Sequence, residues 1–240
     1  MSNLNQAISG SDKSFSGYLT GVEAELRPGI VLLHEIFGVN NAMRMAADQF
    51  AGDGFVVLVP DLFHQIRPGI ELGYSEDDRA TAIGYWQVLV DEQVRRDVAA
   101  AVATLRKHPA CNGQVAIVGF CLGGKYALLA AHLGIADATV SFYPVQAPSY
   151  EAELRDLRCP VQVHVGDDDA HVSLEAHGIL ENATGKPPHE YKLHPGAGHG
   201  FFNKVRSFGF HPKAAALAYT QSVEFIKTAF KNVNKREAQP

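Results

Sequence analysis

Six short apolar runs, rich in valine and isoleucine and separated by longer stretches of helical period, constrain this chain more than any other feature. They cover residues 30–34, 55–60, 114–120, 139–143, 161–165 and 190–194. Several are continuous rather than alternating, the pattern of strands buried on both faces. Helices must then cover both faces of a mostly parallel sheet. Between the runs, residues 92–107 place Val94, Val98, Val102 and Leu105 on one helical face, and His108 and Pro109 end it. After Pro212, Tyr219, Val223, Ile226 and Phe230 recur at three- and four-residue intervals. No Pro/Gly/Ser-rich linker and no internal repeat breaks the pattern. The expectation is a single doubly wound α/β domain over 1–240, a three-layer αβα sandwich, with residues 1–16 a loosely ordered start.

Composition excludes several classes. With 240 residues, 46% hydrophobic and 20% charged, the chain can bury about three quarters of its unfolded surface and needs no disulfide or metal to fold. A net charge of −5 offers no basic footprint for nucleic acid or anionic lipid. No apolar run approaches the length of a membrane span, and residues 1–16 hold no secretory apolar region. Cys111, Cys121 and Cys159 are odd in number and in no CxxC arrangement. They read as free thiols in a reducing compartment, with the cytoplasm as the expected location.

The segment 63–92 has weak periodicity and several charges. An insertion of this length suits a lid or binding region, and equally a solvated connection with a short helix.

The chemistry centres on G-F-C-L-G-G, residues 119–124. It follows a strong strand and precedes a helix-like run, which makes it a nucleophile elbow with cysteine where serine is usual. Gly119 and Gly123 supply the small flanks that a tight strand-to-helix turn requires. The helix N-terminus favours thiolate at Cys121, and the Leu122 N–H is placed to donate to an oxyanion. A buried structural cysteine is the ordinary alternative. An elbow of this kind is followed in the chain by an acid and then a histidine. G-D-D-D-A-H-V (166–172) offers three carboxylates, of which two are expected to cap turns. P-G-A-G-H-G-F (195–201) carries His199 on a glycine-rich loop. A neutral imidazole there accepts the thiol proton, and a carboxylate holds its tautomer.

His171, His177, His189 and His194 fit no zinc spacing, and His34 and Glu35 are not followed by a second histidine at the right distance, so no metal ligation is expected. H-E-I-F-G-V-N (34–40) ends the first run. Glu35 is awkward beside a thiol, because like charge suppresses the thiolate; a salt bridge or loop cap is its plain alternative.

Together with P-D-L-F (60–63) and G-A-G-H-G-F (196–201), these runs resemble the dienelactone hydrolases (carboxymethylenebutenolidases), single-domain members of the α/β-hydrolase fold, over about residues 18–226. The resemblance implies Cys121 as nucleophile, His199 as base and Asp169, rather than Asp168, as acid. It implies Ile36 N–H as the second oxyanion donor. Glu35 matches a family glutamate that holds the resting thiol protonated until substrate arrives. Tyr143 is similar to a family tyrosine near the lactone, and a strand-end tyrosine with a bonded hydroxyl is its alternative. Arg79 matches the first of two arginines that clamp the substrate carboxylate, with Trp86 nearby. The second position is Asn203, which carries no charge; Lys204 or Arg206 is the available compensation.

The implied activity is opening of a small lactone, 4-carboxymethylenebut-2-en-4-olide, to maleylacetate in aromatic catabolism, with no cofactor, a small-molecule substrate and a monomeric state. Two other readings stand beside it. One is a short-chain carboxylesterase or thioesterase of the same fold. The other is a non-catalytic binding or redox-sensing protein, for which a poised cysteine is suited.

Overall fold

The computed structural model describes residues 3–237. The chain divides after Val115 into two compact units. The first holds β1 (Gln6–Ile8), β2 (Phe15–Thr20), β3 (Arg27–Leu33) and β4 (Val56–Pro60), in the order β1-β2-β4-β3. β3 and β4 run parallel with Gly29 opposite Val56, whereas β2 is antiparallel to both β1 and β4. Every residue of β4 and the last five of β3 are buried, as continuous apolar runs require.

Three helices belong to this unit. In α1 (Asn41–Gly52) the Asn40 side chain accepts the Met43 N–H, and Ala42, Met43, Ala46, Ala47 and Phe50 form the buried stripe. α3 (Asp91–Arg106) packs on β3 so closely that a Cβ at Gly29 would stand 2.9 Å from Leu105. α2 (Glu76–Gln87) opens with a capping box between Ser75 and Asp78, yet among its residues only Ala82 is buried. Within the segment 63–92, α2 is thus a surface helix held by its cap, whereas Phe63, His64 and Ile70 ahead of it are buried.

The start of the chain differs from expectation. β1 pairs with β2 in register, Ile8 opposite Phe15, and Ile8 is fully buried. One buried apolar residue in a strand of three is enough to anchor an edge but makes no run in the sequence. Residues 1 and 2 of the segment expected to be loose lie outside the described residues.

The second unit is a parallel ladder: β5 (Cys111–Phe120, within which the division falls), β6 (Ala138–Phe142), β7 (Val161–Gly166) and β8 (Glu190–His194), in that spatial order. The helices are α4 (Leu122–Leu133), α5 (Glu151–Leu154), α6 (Leu174–Thr184) and α7 (Pro212–Glu237). α4, α6 and α7 all pack on these strands. The last helix begins at the expected Pro212, and β8 matches the expected run at both ends. Among the described residues no helix is long and apolar enough to cross a membrane.

Two histidines lie inside the β7–β8 ladder, His164 fully buried and His194 nearly so. Gln162 directs its amide NH2 to Glu190 Oε2 at 2.7 Å, which turns its carbonyl oxygen toward His164 Nε2 at 2.8 Å. Because that oxygen only accepts, His164 Nε2 carries the hydrogen and Nδ1 is bare. His194 Nε2–H then donates to His164 Nδ1 at 2.9 Å. From α7, Ser222 Oγ donates to Ala218 O at 2.7 Å and lies 3.1 Å from His164 Nε2. Phe142 stacks on His164 with ring centres 4.8 Å apart.

This arrangement is built for neutral rings. Burial first, then the charges of His194 and Lys192, push His164 well below its ordinary value. Burial, then His211 and Lys192, push His194 down to about 4. Both folded values lie below the unfolded one, so the stability they contribute is whole above pH 6.5 and is lost as the pH falls through about 4. The urea midpoint is expected to drop between those pH values, and to drop less in His194→Gln, whose amide nitrogen keeps a donor but takes no proton. Equal pH dependence in the two proteins would contradict this assignment.

Candidate active site

The elbow lies in the second unit. Cys121 follows β5 directly and precedes the first residue of α4, with φ 54° and ψ −111°. That region is sparsely populated for a residue with a side chain and costs about 1–3 kcal/mol. Two backbone bonds hold it there: Cys121 N–H to Phe142 O at 3.0 Å, and Lys125 N–H to Cys121 O at 3.2 Å. Space around the turn is minimal. A Cβ on Gly119 would collide with the Gly123 carbonyl and stand 2.9 Å from Ala127 Cβ, and one on Gly124 would stand 2.9 Å from Phe142 O and from Ser141 Oγ. Leu122 opens α4, so its N–H belongs to the first turn, whose donors have no partner within the helix. Cys121 is 9% exposed.

His199 and Asp169 come from the loops after β8 and β7. His199 Nδ1 is 2.9 Å from Asp169 Oδ2 and 3.2 Å from Oδ1. The Asp169 side chain has no exposure, and its Oδ1 also accepts the His171 N–H at 2.8 Å. With Nδ1–H donating to the carboxylate, Nε2 is the nitrogen left for another partner, and a hydrogen bond joins the imidazole to the Cys121 thiol. Burial alone would pull His199 down. A negative charge at Cys121 and the hydrogen bond to Asp169 outweigh it, and the group is pushed up to about 10.

Of the other two aspartates, one uses its carboxylate to brace a turn, as expected, and the other does so only through its backbone. Asp167 Oδ1 accepts the Gly196 N–H at 2.6 Å, tying the acid loop to the histidine loop, and Asp168 N–H bonds Ala197 O at 3.1 Å while its side chain is exposed. The triplet thus supplies one buried carboxylate and two loop braces.

Tyr143 stands edge-on to His199 with ring centres 5.1 Å apart. It too has a positive φ, 38°, and its N–H bonds His164 O at 2.7 Å. Asn203 is buried, and its Oδ1 accepts the Val205 N–H at 3.1 Å, so that oxygen shapes the turn. Of the two candidate cations, Lys204 is exposed. Arg206 places Nη1 3.4 Å from His199 O and its guanidinium 4.6 Å from the Phe208 ring centre. One neighbour was not expected. His171 packs edge-on to His199 at 4.6 Å; the only signal for it is its place two residues after the acid.

The remaining expected residues belong to the first unit. Glu35 and Ile36 follow His34, the first residue after β3, and Glu35 is 2% exposed. His34 beside it has a fixed tautomer: Nδ1 bonds Glu35 O at 2.6 Å and Nε2 accepts the Leu62 N–H at 3.1 Å. His34 therefore braces the ends of β3 and β4, and burial pushes it below its ordinary value. Arg79 and Trp86 lie seven residues apart on α2, hence on one side of that helix, with Arg79 exposed and Trp86 half-buried. The other histidines considered as ligands are engaged elsewhere, His177 Nδ1 with Tyr191 OH at 2.6 Å and His189 Nδ1 with the Val161 N–H at 3.2 Å.

A parallel sheet with a strained cysteine between strand and helix, and with acid and histidine on the loops of the next strands, defines an α/β-hydrolase. The chain belongs to the dienelactone hydrolase family, whose sequence model matches residues 15–230. It is 34% identical over 205 residues to the carboxymethylenebutenolidase of Pseudomonas sp. strain P51, spanning 83% of this chain and 84% of that one. The Pseudomonas putida carboxymethylenebutenolidase is 32% identical over 226 residues, 92% of this chain and 94% of that one. Among solved structures, a dienelactone hydrolase-like promiscuous phosphotriesterase from metagenomic libraries superposes with a TM-score of 0.75 at 23% identity, covering 93% and 97% of the two chains. That likeness is one of fold.

Because the charge at Cys121 is the foremost influence raising His199, Cys121→Ala is expected to lower the His199 titration from about 10 toward the ordinary histidine range, read by NMR of the ring. An unmoved titration would show that the thiol and imidazole are not coupled.

Proposed function

We propose that this protein opens a small lactone by way of an acyl-enzyme on Cys121. The observation that carries this reading is the buried sequence of contacts in the second unit: Asp169 holds His199 Nδ1 at 2.9 Å, and the other side of the ring meets the thiol at the elbow. The Cys121 thiolate attacks the lactone carbonyl, and the Leu122 N–H receives the developing oxyanion, a donor worth about 3 kcal/mol. As the ring C–O bond breaks, the His199 imidazolium gives its proton to the departing oxygen. Neutral His199 then takes a proton from water, which attacks the thioester and releases the acid with the thiol restored. Asp169 keeps the tautomer correct and stabilises the imidazolium in both steps.

Ile36 as second oxyanion donor and Glu35 as holder of the resting thiol proton are assigned by the family resemblance and belong to this proposal. So do Arg79, Trp86 and Tyr143 as substrate contacts, the cytoplasmic location and the monomeric state. The substrate class follows the family: a dienelactone bearing a carboxylate, opened to maleylacetate in aromatic catabolism, without a cofactor. Asn203 supports a second reading. It places an uncharged side chain, its oxygen already bonded to the Val205 N–H, where the resemblance implies an arginine, and that favours a neutral ester or thioester. Arg206 is the cation beside the His199 loop that supports the carboxylated substrate.

Steady-state hydrolysis of cis- and trans-dienelactone beside p-nitrophenyl acetate separates the two. The lactone reading expects the dienelactones to be preferred, and Cys121→Ser to lower kcat/KM by about a thousandfold or more. Brisk acetate cleavage with no lactone turnover would assign the protein to the esterases. Full activity in the serine variant would remove Cys121 from its role.

A further inference from the structure

His164 and His194 stand in the same relation to the site. His164 lies on β7 five residues before Asp169, and His194 ends β8 five residues before His199. The acid and the base therefore leave two adjacent parallel strands, and the side-chain bond between those strands just before the exits is the imidazole pair at 2.9 Å. The backbone ladder places Gly166 opposite His194. Above it the two loops are joined by Asp167 N–H to His194 O at 3.4 Å and Asp168 N–H to Ala197 O at 3.1 Å, and Ala197 N–H to His194 O at 3.2 Å closes the turn of the histidine loop itself. His194 also packs against Phe201 at 5.0 Å, Phe201 against Tyr143 at 5.4 Å, and Tyr143 against His199 at 5.1 Å. A shift of the His194 ring is thus passed to the base both along the chain and through the aromatic packing.

We propose that the His164–His194 pair is a positioning device that sets the spacing of the Asp169 and His199 loops, with Gln162, Glu190 and Ser222 fixing its hydrogen pattern. The pair does not touch substrate. It rests on the reading of Asp169 and His199 as the acting acid and base. What it adds is that a buried bond between strands, made by residues with no part in the chemistry, governs how well those two meet. Parallel strands alone leave this freedom, since their ladder fixes register but not the twist at which each chain departs. Two planar rings bonded nitrogen to nitrogen, with His164 stacked on Phe142, remove it. A displacement of about an ångström at a reacting group costs up to about a hundredfold in rate.

The test compares wild type, Cys121→Ser, His194→Leu and His194→Gln in one p-nitrophenyl acetate assay with thermal unfolding alongside. Gln places an amide donor near the position of His194 Nε2, whereas Leu leaves His164 Nδ1 without one. The proposal expects His194→Leu to lower kcat by about tenfold or more with KM within about twofold. His194→Gln is expected to recover most of that loss. A folded His194→Leu with unchanged kcat and only a lower Tm would make the pair structural and overturn the proposal, as would failure of the glutamine to rescue. Should the leucine variant not fold, His194→Asn, whose shorter amide falls short of His164 Nδ1, takes its place: a loss of kcat of about tenfold in the folded protein supports positioning and unchanged kcat overturns it. Wild-type protein that turns nothing over, or a serine variant as active as wild type, would instead strike the reading on which the proposal rests, and the proposal with it.

Discussion

The backbone at Cys121 is the constraint to which the second unit is fitted. A residue with a side chain sits at φ 54°, ψ −111°, and only surrounding structure can keep it there. β5 fixes one end, α4 the other, and the Phe142 carbonyl of β6 receives its N–H. Gly119 and Gly124 are glycines because the close approach of α4 and the end of β6 leaves no room for a Cβ. The outcome is a sulfur held at the N-terminus of a helix of twelve residues, where the dipole and the unpaired N–H groups favour negative charge.

The proposed mechanism also requires the imidazole beside that sulfur. His199 is mostly buried, and burial opposes its charge, yet the sulfur and Asp169 together push it up to about 10. A proton on this ring is therefore stabilised by the two groups that flank it. Asp169 is itself held by the His171 N–H, and the loops that carry acid and base are sewn together by Asp167 and by the Ala197 carbonyl. Rigid parallel strands deliver the loops, and the loops bond each other before either reaches the thiol.

Much of this was legible in the sequence because each part leaves a local mark. Strands buried on both faces are continuous apolar runs, so β3 to β7 were visible, whereas β8 buries only His194 and is not such a run. The elbow is legible because its glycines are required by sterics. The order of acid and histidine pointed to the three adjacent aspartates and to His199 among eleven histidines, and the family resemblance chose Asp169 of the three. Other elements leave no such mark. β1 needs one buried residue, Ile8, and α2 buries only Ala82, so neither has a period to detect. His164 and His194 are 30 residues apart and meet only because the β7–β8 register sets Gly166 opposite His194. His171 reaches His199 through the turn that Asp169 closes, a fold of the loop that no spacing rule describes. Asn203 matched a position in a family pattern, and the structure adds that its oxygen is already engaged in the turn.

The central claim is that the reaction passes through a covalent bond to the elbow sulfur. The most direct measurement is rapid acid quench during turnover of p-nitrophenyl acetate, followed by peptide mapping by mass spectrometry. The account predicts an acetyl group on the peptide carrying Cys121, more abundant when Asp169 is replaced by Asn because deacylation then slows. Acylation at Cys111, Cys159 or a hydroxyl instead, with Cys121 unmodified throughout turnover, would contradict it.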